Sequence, residues 1–336
     1  DGRGFAPAKH WMVLLGHHFA AIAGAAPIIG PGIACLFWGW LPAVIWVVVG
    51  GVLFGAVHDF TSLALSLKHE GRSIAAVTGT VVGKTGKILF SLFVFPALIL
   101  VVAVFAASAG KTLATTPQVV LPTFGLIVVA LIVGALMYRM GLSTVICSIV
   151  GMALLFGLIV AGYYLPIELP VANAAKWWTV ILLLYGLVAS VVPVTVLLQP
   201  RDHLAAGVLF FGVSFGYLGL LITHPGLKAP AIVAFDSPKG WLWPMLFVNI
   251  ACGAISGFHS LVAGGTTSKQ LPRMKDARVV GYGGMIAESA LSLLAIIAVC
   301  AGLYWKSAPA GADAPVYQEV FKKGGWIAAF GAGYGA

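Results

Sequence analysis

GHHFAAIAGAAPIIGP, residues 16–31, and CGAISGFHSLVAGGTTSK, residues 252–269, are two apolar stretches broken in the middle by glycine, proline and histidine. In lipid every backbone N–H and C=O needs an internal partner. Irregular backbone at membrane depth therefore survives only where protein buries it or where it lines a cavity. Interrupted spans in two halves of one chain point to the substrate site of a carrier. The spans at 11–31 and 241–269 are accordingly expected to be discontinuous and to lie side by side near the bilayer midplane.

The surrounding sequence is that of a membrane protein. It is 60% hydrophobic and 9% charged, with a mean hydropathy of +1.03. An ordinary soluble domain carries roughly 25% charged residues. Crossing the hydrocarbon takes about 20 apolar residues. Nine stretches qualify: 11–26, 41–67, 88–109, 119–137, 142–164, 177–198, 203–223, 241–264 and 281–305. A Gly-rich apolar tail from Val316 to Ala336 reads as a tenth element or a re-entrant piece. The expected fold class is an all-α polytopic membrane protein, with one transmembrane transporter domain over residues 1–336. The chain starts at Asp1 without an n-region or cleavage site, so no signal peptide is expected. With the apolar end at Gly331–Ala336, this reads as the central portion of a longer protein.

The net charge of +9 is spread in a way that excludes a nucleic-acid partner. If loops alternate sides, Arg3, Lys9, Lys68, Arg72, Lys84, Lys87, Arg139, Arg201, Lys269, Arg273, Lys275 and Arg278 share one side, the majority of the 19 basic residues. That side is expected to be cytoplasmic. It holds the two densest basic loops, 68–87 and 265–280. The cysteines Cys35, Cys147, Cys252 and Cys300 stand singly in or beside apolar spans, without CxxC or metal spacing. They read as small buried hydrophobes.

Among the acidic residues only Asp59 and Glu288 lie well inside expected spans. A carboxylate in the bilayer is costly and marks an ion or proton route by default. Asp59 follows His58 and shares a helix face with Ser62 and Ser66; Glu288 has Ser292 one turn on. The structural alternative for each is pairing with an arginine or capping a neighbouring helix. His17 and His18 open the first broken stretch and His259 sits in the second. Imidazole serves proton relay, anion binding or metal ligation. No ligand spacing of a zinc site is visible, and no metal or other cofactor is expected. His69, His203 and His224, at span ends, read as packing or interfacial residues.

The two breaks are loosely alike. Gly16-His17-His18-Phe19 aligns with Gly257-Phe258-His259-Ser260, and each is followed by a span bearing an acid. By the loop assignment they run in opposite directions, as an inverted-topology repeat requires.

Six stretches in order, GHHFAAIAGAAPIIGP, GAVHDF (55–60), PRDHL (200–204), ACGAISGFHSL (251–261), GTTSKQL (265–271) and DARVVGYGGMIAE (276–288), resemble the carbon starvation protein A family over nearly the whole chain. Ala26, Ala263-Gly264 and Met274 depart from the family pattern. The resemblance implies a multi-pass secondary transporter of the bacterial inner membrane, for peptides or pyruvate. It also implies the inverted-repeat, discontinuous-helix fold of the amino acid–polyamine–organocation carriers.

The expected substrate site comprises His17, His18, Gly24, Gly30, Ser256, His259, Gly265, Thr266, Thr267, Ser268 and Lys269. Half-helix N-termini near Gly24–Gly30 and Gly264–Thr267 are expected to offer N–H groups to a substrate carboxylate. Against this, GTTSKQL also reads as a capped helix end with a cytoplasmic lysine. Arg201 and Asp202 read as an interfacial pair holding a tight turn. The coupling group is expected to be Asp59, then Glu288, with His58 or His18 as relay and a proton, or else sodium, as the coupling ion. A channel, or an ion-coupled carrier for another small anion or amino acid, is the alternative. An enzyme is not expected, because GxSxG and HExxH are absent. A receptor is disfavoured for want of a soluble output domain, and nothing in the sequence indicates an oligomeric state.

Overall fold

The computed structural model describes residues 5–8, 10–305 and 316–336, with the side chains of residues 323 and 324 left out. Arg3, Lys9 and residues 306–315 fall outside the described residues.

Described in chain order, the helices are α1 (Trp11–Ile22), α2 (Ala26–Phe37), α3 (Trp40–Val49), α4 (Ala56–Lys68), α5 (Ile74–Val81), α6 (Lys84–Thr115), α7 (Val120–Gly134) and α8 (Thr144–Tyr164). They continue as α9 (Ala174–Val191), α10 (Leu198–Thr223), α11 (Leu242–Asn249), α12 (Ala251–Ala254), α13 (Gly257–Gly265), α14 (Gly283–Gly302) and α15 (Tyr317–Gly335). A two-residue hairpin, β1 (Asp236–Ser237) with β2 (Gly240–Trp241), precedes α11.

Seven helical stretches among the described residues are long and apolar enough to cross a membrane. They are Trp40–Lys68, Lys84–Thr115, Pro117–Arg139, Thr144–Tyr164, Ala174–Val191, Leu198–Thr223 and Met274–Gly302. α1 and α2 together form an eighth, bent by 46°. Pro27 in the first turn of α2 starts the new helix without losing a hydrogen bond. The expected span 241–264 differs more. It is cut into α11, α12 and α13, none of them long enough alone. Ile255 is extended at the second cut, so the chain unwinds over 255–256. Both sequence breaks are therefore real interruptions of helix.

The described residues fall into two compact units. Unit 1 comprises residues up to Ala21, Leu63–Leu209 and Leu261–Asp276. In it α6 packs on α5 and α9, and α7 on α8. Val133, Met137, Cys147 and Leu204 are core side chains there. The outer faces of α6 stay apolar and uncovered, with Leu92, Phe93 and Phe95 exposed. Such faces suit contact with lipid rather than water.

Unit 2 comprises Ile22–Ser62, Phe210–Ser260 and Ala277–Ala336. Its centre is α14, which touches α2, α3, α12 and α15. Cys35, Trp38, Val47, Leu246, Ile250 and Ile296 form its main core. The apolar tail is the helix α15, kinked at Gly325 and tied through Tyr317 Oη to the Gly32 carbonyl at 3.2 Å. Two helices of unit 2 begin with a π-helical segment: Gly50–Gly55 runs into α4, and Arg278–Tyr282 into α14. π segments inside α-helices recur at functional sites. Here each lies just ahead of a buried acid, Asp59 or Glu288.

Candidate functional site

In unit 2 the two intramembrane acids meet on one histidine. Asp59, in the first turn of α4, and Glu288, in α14, are both completely buried, as is His259. His259 Nδ1–H donates to Asp59 Oδ2 at 2.8 Å, and its Nε2 lies 3.1 Å from Glu288 Oε2. His58, half-buried, donates from Nδ1 to Asp59 Oδ1 at 3.0 Å. Cys252 Sγ lies 3.8 Å from His259 Nε2 and 4.0 Å from the Ile22 carbonyl at the end of α1. The first break thus reaches the thiol, and the thiol reaches the acid–imidazole–acid chain. Close packing of small residues makes this room. A Cβ at Gly51 or at Gly253 would run into Ser289 or Ser292 of α14.

In unit 1 His17 and His18 face different partners. His17 Nδ1 lies 2.8 Å from Asp202 Oδ2. Its Nε2 accepts from the Gln270 amide at 3.0 Å, which leaves the ring proton on the Asp202 side. Gln270 Oε1 accepts in turn from Gln199, and Gln199 Oε1 from the Tyr138 hydroxyl. Asp202 Oδ1 is held by Arg201 through Nε at 2.8 Å and a second guanidinium nitrogen at 2.6 Å. His18 Nδ1 meets Thr267 Oγ1 at 2.9 Å. This network joins α1, α10 and the 266–270 turn.

The structure therefore divides the expected site residues. Asp59, His58, His259 and Glu288 come together in unit 2, where Gly24 and Ser256 mark the two unwound links. His17, His18, Thr267 and Ser268 are buried in unit 1. Lys269 is exposed there and lines a cleft of about 780 Å³ with Ser268, Arg72 and Arg273.

Several expectations are corrected. Gly264–Thr267 is not the N-terminus of an α-helix, only the end of α13 and the start of one 3₁₀ turn, Thr267–Lys269. α13 ends at Gly265, and Ser268 Oγ donates back to the Gly264 carbonyl at 3.1 Å. This end presents carbonyls, so Gly265, Thr266, Thr267 and Ser268 do not form a helix-N-terminal cradle for a carboxylate. At the N-terminus of α2, Pro27 has no N–H, and the N–H groups of Ile28 and Ile29 both go to the Ala25 carbonyl. Few donors remain there for an anion. Gly30 is a packing residue, since a Cβ on it would overlap the Asn249 carbonyl oxygen. Arg201 and Asp202 do pair, in the first turn of α10 and mostly buried.

The Gly30→Ala protein is expected to lose about 1–3 kcal/mol, the usual cost of overpacking a tight site. Thermal unfolding in detergent measures this. The fraction that folds should keep wild-type substrate affinity, which would not hold if Gly30 touched substrate.

Cys252, Gln199 and Gln270 were not recognised from sequence. Cys252 reads as one more apolar-span cysteine, yet it sits at the polar cluster. Seven residues separate it from His259, two helical turns in an unbroken helix. The unwinding at 255–256 removes that simple relation. Gln270 follows GTTSK and carries no signal of its own.

The family profile described as Carbon starvation protein CstA matches residues 1–323. The chain is 37% identical over 326 residues to a Peptide transporter CstA of Campylobacter jejuni, covering 91% of this chain and 45% of that protein. It is 37% identical over 329 residues to the Pyruvate/proton symporter BtsT of Escherichia coli K12, covering 93% of this chain and 45% of the relative. A Peptide transporter CstA of Escherichia coli K12 is 36% identical over 318 residues, covering 89% and 44%. The chain thus spans a little under half the length of these relatives. No solved structure matches it. With apolar helices of spanning length, two broken spans and a family profile matched almost end to end, this multi-pass membrane chain belongs to the carbon starvation protein CstA family.

Proposed function

We propose that this chain is the ion-coupling part of a secondary transporter of the bacterial inner membrane, taking up pyruvate or short peptides with protons. The observation that carries the reading is His259 held between two fully buried carboxylates. A structural ion pair needs one partner per charge. Here two buried carboxylates share one imidazole. Carboxylates buried in a membrane span are costly and mark an ion or proton route. His58, half-buried, connects Asp59 toward the outside of the cluster. The names of the relatives support the cargo and the proton.

The substrate is read as lying at the two unwound links, near Gly24 and Ser256, with His259 beside it. Lys269, Arg72 and Arg273 would receive an anionic cargo on the cytoplasmic side. His17, His18, Thr267 and Ser268 are then read as scaffold within unit 1. The inverted repeat of the amino acid–polyamine–organocation carriers is the architecture that this reading adopts, since the break pairs run oppositely by the charge rule.

The decisive experiment is uptake by the full-length protein in proteoliposomes. Saturable accumulation of pyruvate or of di- and tripeptides under an imposed proton gradient is expected. Accumulation driven only by sodium, or flux that does not saturate, would count against the proposal.

The loops 68–87 and 265–280 are expected to be cytoplasmic. That both contribute residues to one basic cleft supports a shared side. Single cysteines introduced in either loop should resist an impermeant thiol reagent in intact cells and react after permeabilisation. Labelling from outside would reverse the orientation.

A further inference from the structure

Cys252, His259 and Glu288 present a thiol, an imidazole and a carboxylate whose ligand atoms all lie within 4.8 Å of one another. Zinc bonds of about 2.3 Å to sulfur, 2.0–2.1 Å to nitrogen and 2.0–2.2 Å to oxygen, at tetrahedral angles, set neighbouring ligand atoms roughly 3.3–3.6 Å apart. The observed separations from His259 Nε2, 3.8 Å to Cys252 Sγ and 3.1 Å to Glu288 Oε2, bracket that range. Shifts of a few tenths of an ångström bring these two separations into it.

Two further features are those of a built site. His259 gives its Nδ1–H to Asp59 at 2.8 Å, which turns the Nε2 lone pair toward Cys252 and Glu288. A carboxylate behind a ligating histidine is the usual outer partner in zinc sites. Glu288 is fully buried, and neither of its oxygens accepts a hydrogen bond of good geometry among the described residues. Its carboxylate is aimed into the cluster, 3.1 Å from His259 Nε2. A thiol, an imidazole and a carboxylate together favour a borderline cation such as Zn²⁺ over Mg²⁺ or Ca²⁺.

We propose that Cys252, His259 and Glu288 form a binding site for a divalent cation of the zinc class, and that metal bound there arrests transport. The ligands come from α12, α13 and α14, and Cys252 and His259 stand on opposite sides of the unwound residues 255–256. A metal therefore staples the broken helix to α14 across the link where a carrier needs freedom. Binding releases the thiol proton, and any proton carried at His259 Nε2, to solvent, because the thiolate and the neutral imidazole are the ligands. The fourth position is left for water. The arrest of transport rests on the carrier reading above, whereas metal binding does not.

Full-length protein, purified metal-free, is titrated with Co²⁺ and then with Zn²⁺. One equivalent of Co²⁺ should give a thiolate charge-transfer band together with tetrahedral d–d bands, and Zn²⁺ should displace both. Cys252→Ser should lose the charge-transfer band. Asp59→Asn should weaken binding by about 10- to 100-fold, as removal of an outer partner does. Each variant is checked for wild-type elution and thermal unfolding; Glu288→Gln replaces any that fails and should also weaken binding. Stoichiometric Co²⁺ without the thiolate band, or wild-type affinity in Cys252→Ser, overturns the site. In proteoliposomes, uptake with and without Zn²⁺ is compared in the parent and in Cys252→Ser. Inhibition in the parent that is lost in Cys252→Ser supports the staple; binding without inhibition overturns it. Should no substrate be taken up at all, the carrier reading fails while the spectra still decide the site.

Discussion

Full-length protein carrying Asp59→Asn should lose proton-driven accumulation of substrate by about 100-fold or more, the lower end of what a positioned proton-transfer group contributes. The amide keeps the shape of the carboxylate and still accepts from His259 Nδ1. What it loses is the charge that a coupling proton neutralises. Exchange of labelled for unlabelled substrate, which needs no net proton movement, should persist. Glu288→Gln should behave in the same direction, because its carboxylate faces the other nitrogen of the same ring. Normal accumulation by Asp59→Asn would make that carboxylate structural and transfer the role to Glu288. Normal accumulation by both would leave the histidines.

A different loss is expected at Asp202. Asp202→Ala removes the partner of Arg201 and of His17 at once. Removing one member of a fully buried pair costs about 3–5 kcal/mol; the Arg201 side chain is 28% exposed, so about 2–3 kcal/mol is the better figure. The signs are a lower unfolding temperature and a lower folded yield. Asp202→Asn keeps some of the hydrogen bonds and should fall between the two. A stable Asp202→Ala protein that no longer transports would place Asp202 on the proton route instead of in the scaffold.

Much of this was legible in the chain, for identifiable reasons. Glycine and proline in an apolar run have few structural uses, so both breaks could be read directly. Asp59 and Glu288 stood out because almost no other acid lies in a span. That they share His259 was not legible, since the contacts cross 200 residues in one case and 29 in the other. Of the two readings of GTTSKQL, a half-helix N-terminus and a capped helix end, the helix end is the one found. Serine and threonine there suggest an N-cap, but two glycines directly after an apolar helical run are the commoner mark of a C-terminus. The fate of span 241–264 was only half visible. The sequence announces the cut near Ser256, while the cut at Ile250 lies in WPMLFVNIACG, which reads as continuous helix.

The π segment Gly50–Gly55 ahead of Asp59 has a bearing on how this protein tolerates changes in chain length. A π turn is an α turn carrying a surplus residue. Loss of one residue from Gly50–Gly55 lets the segment relax to ordinary α-helix, and the downstream phase is kept, so Asp59 still points at His259. Once that surplus is spent, loss of a second residue ahead of Asp59 has nothing to draw on. It turns the rest of the helix by about 100°, one residue's share of a 3.6-residue turn, and swings the carboxylate off the imidazole. A first single-residue gap ahead of Asp59 is therefore admissible and a second ruinous.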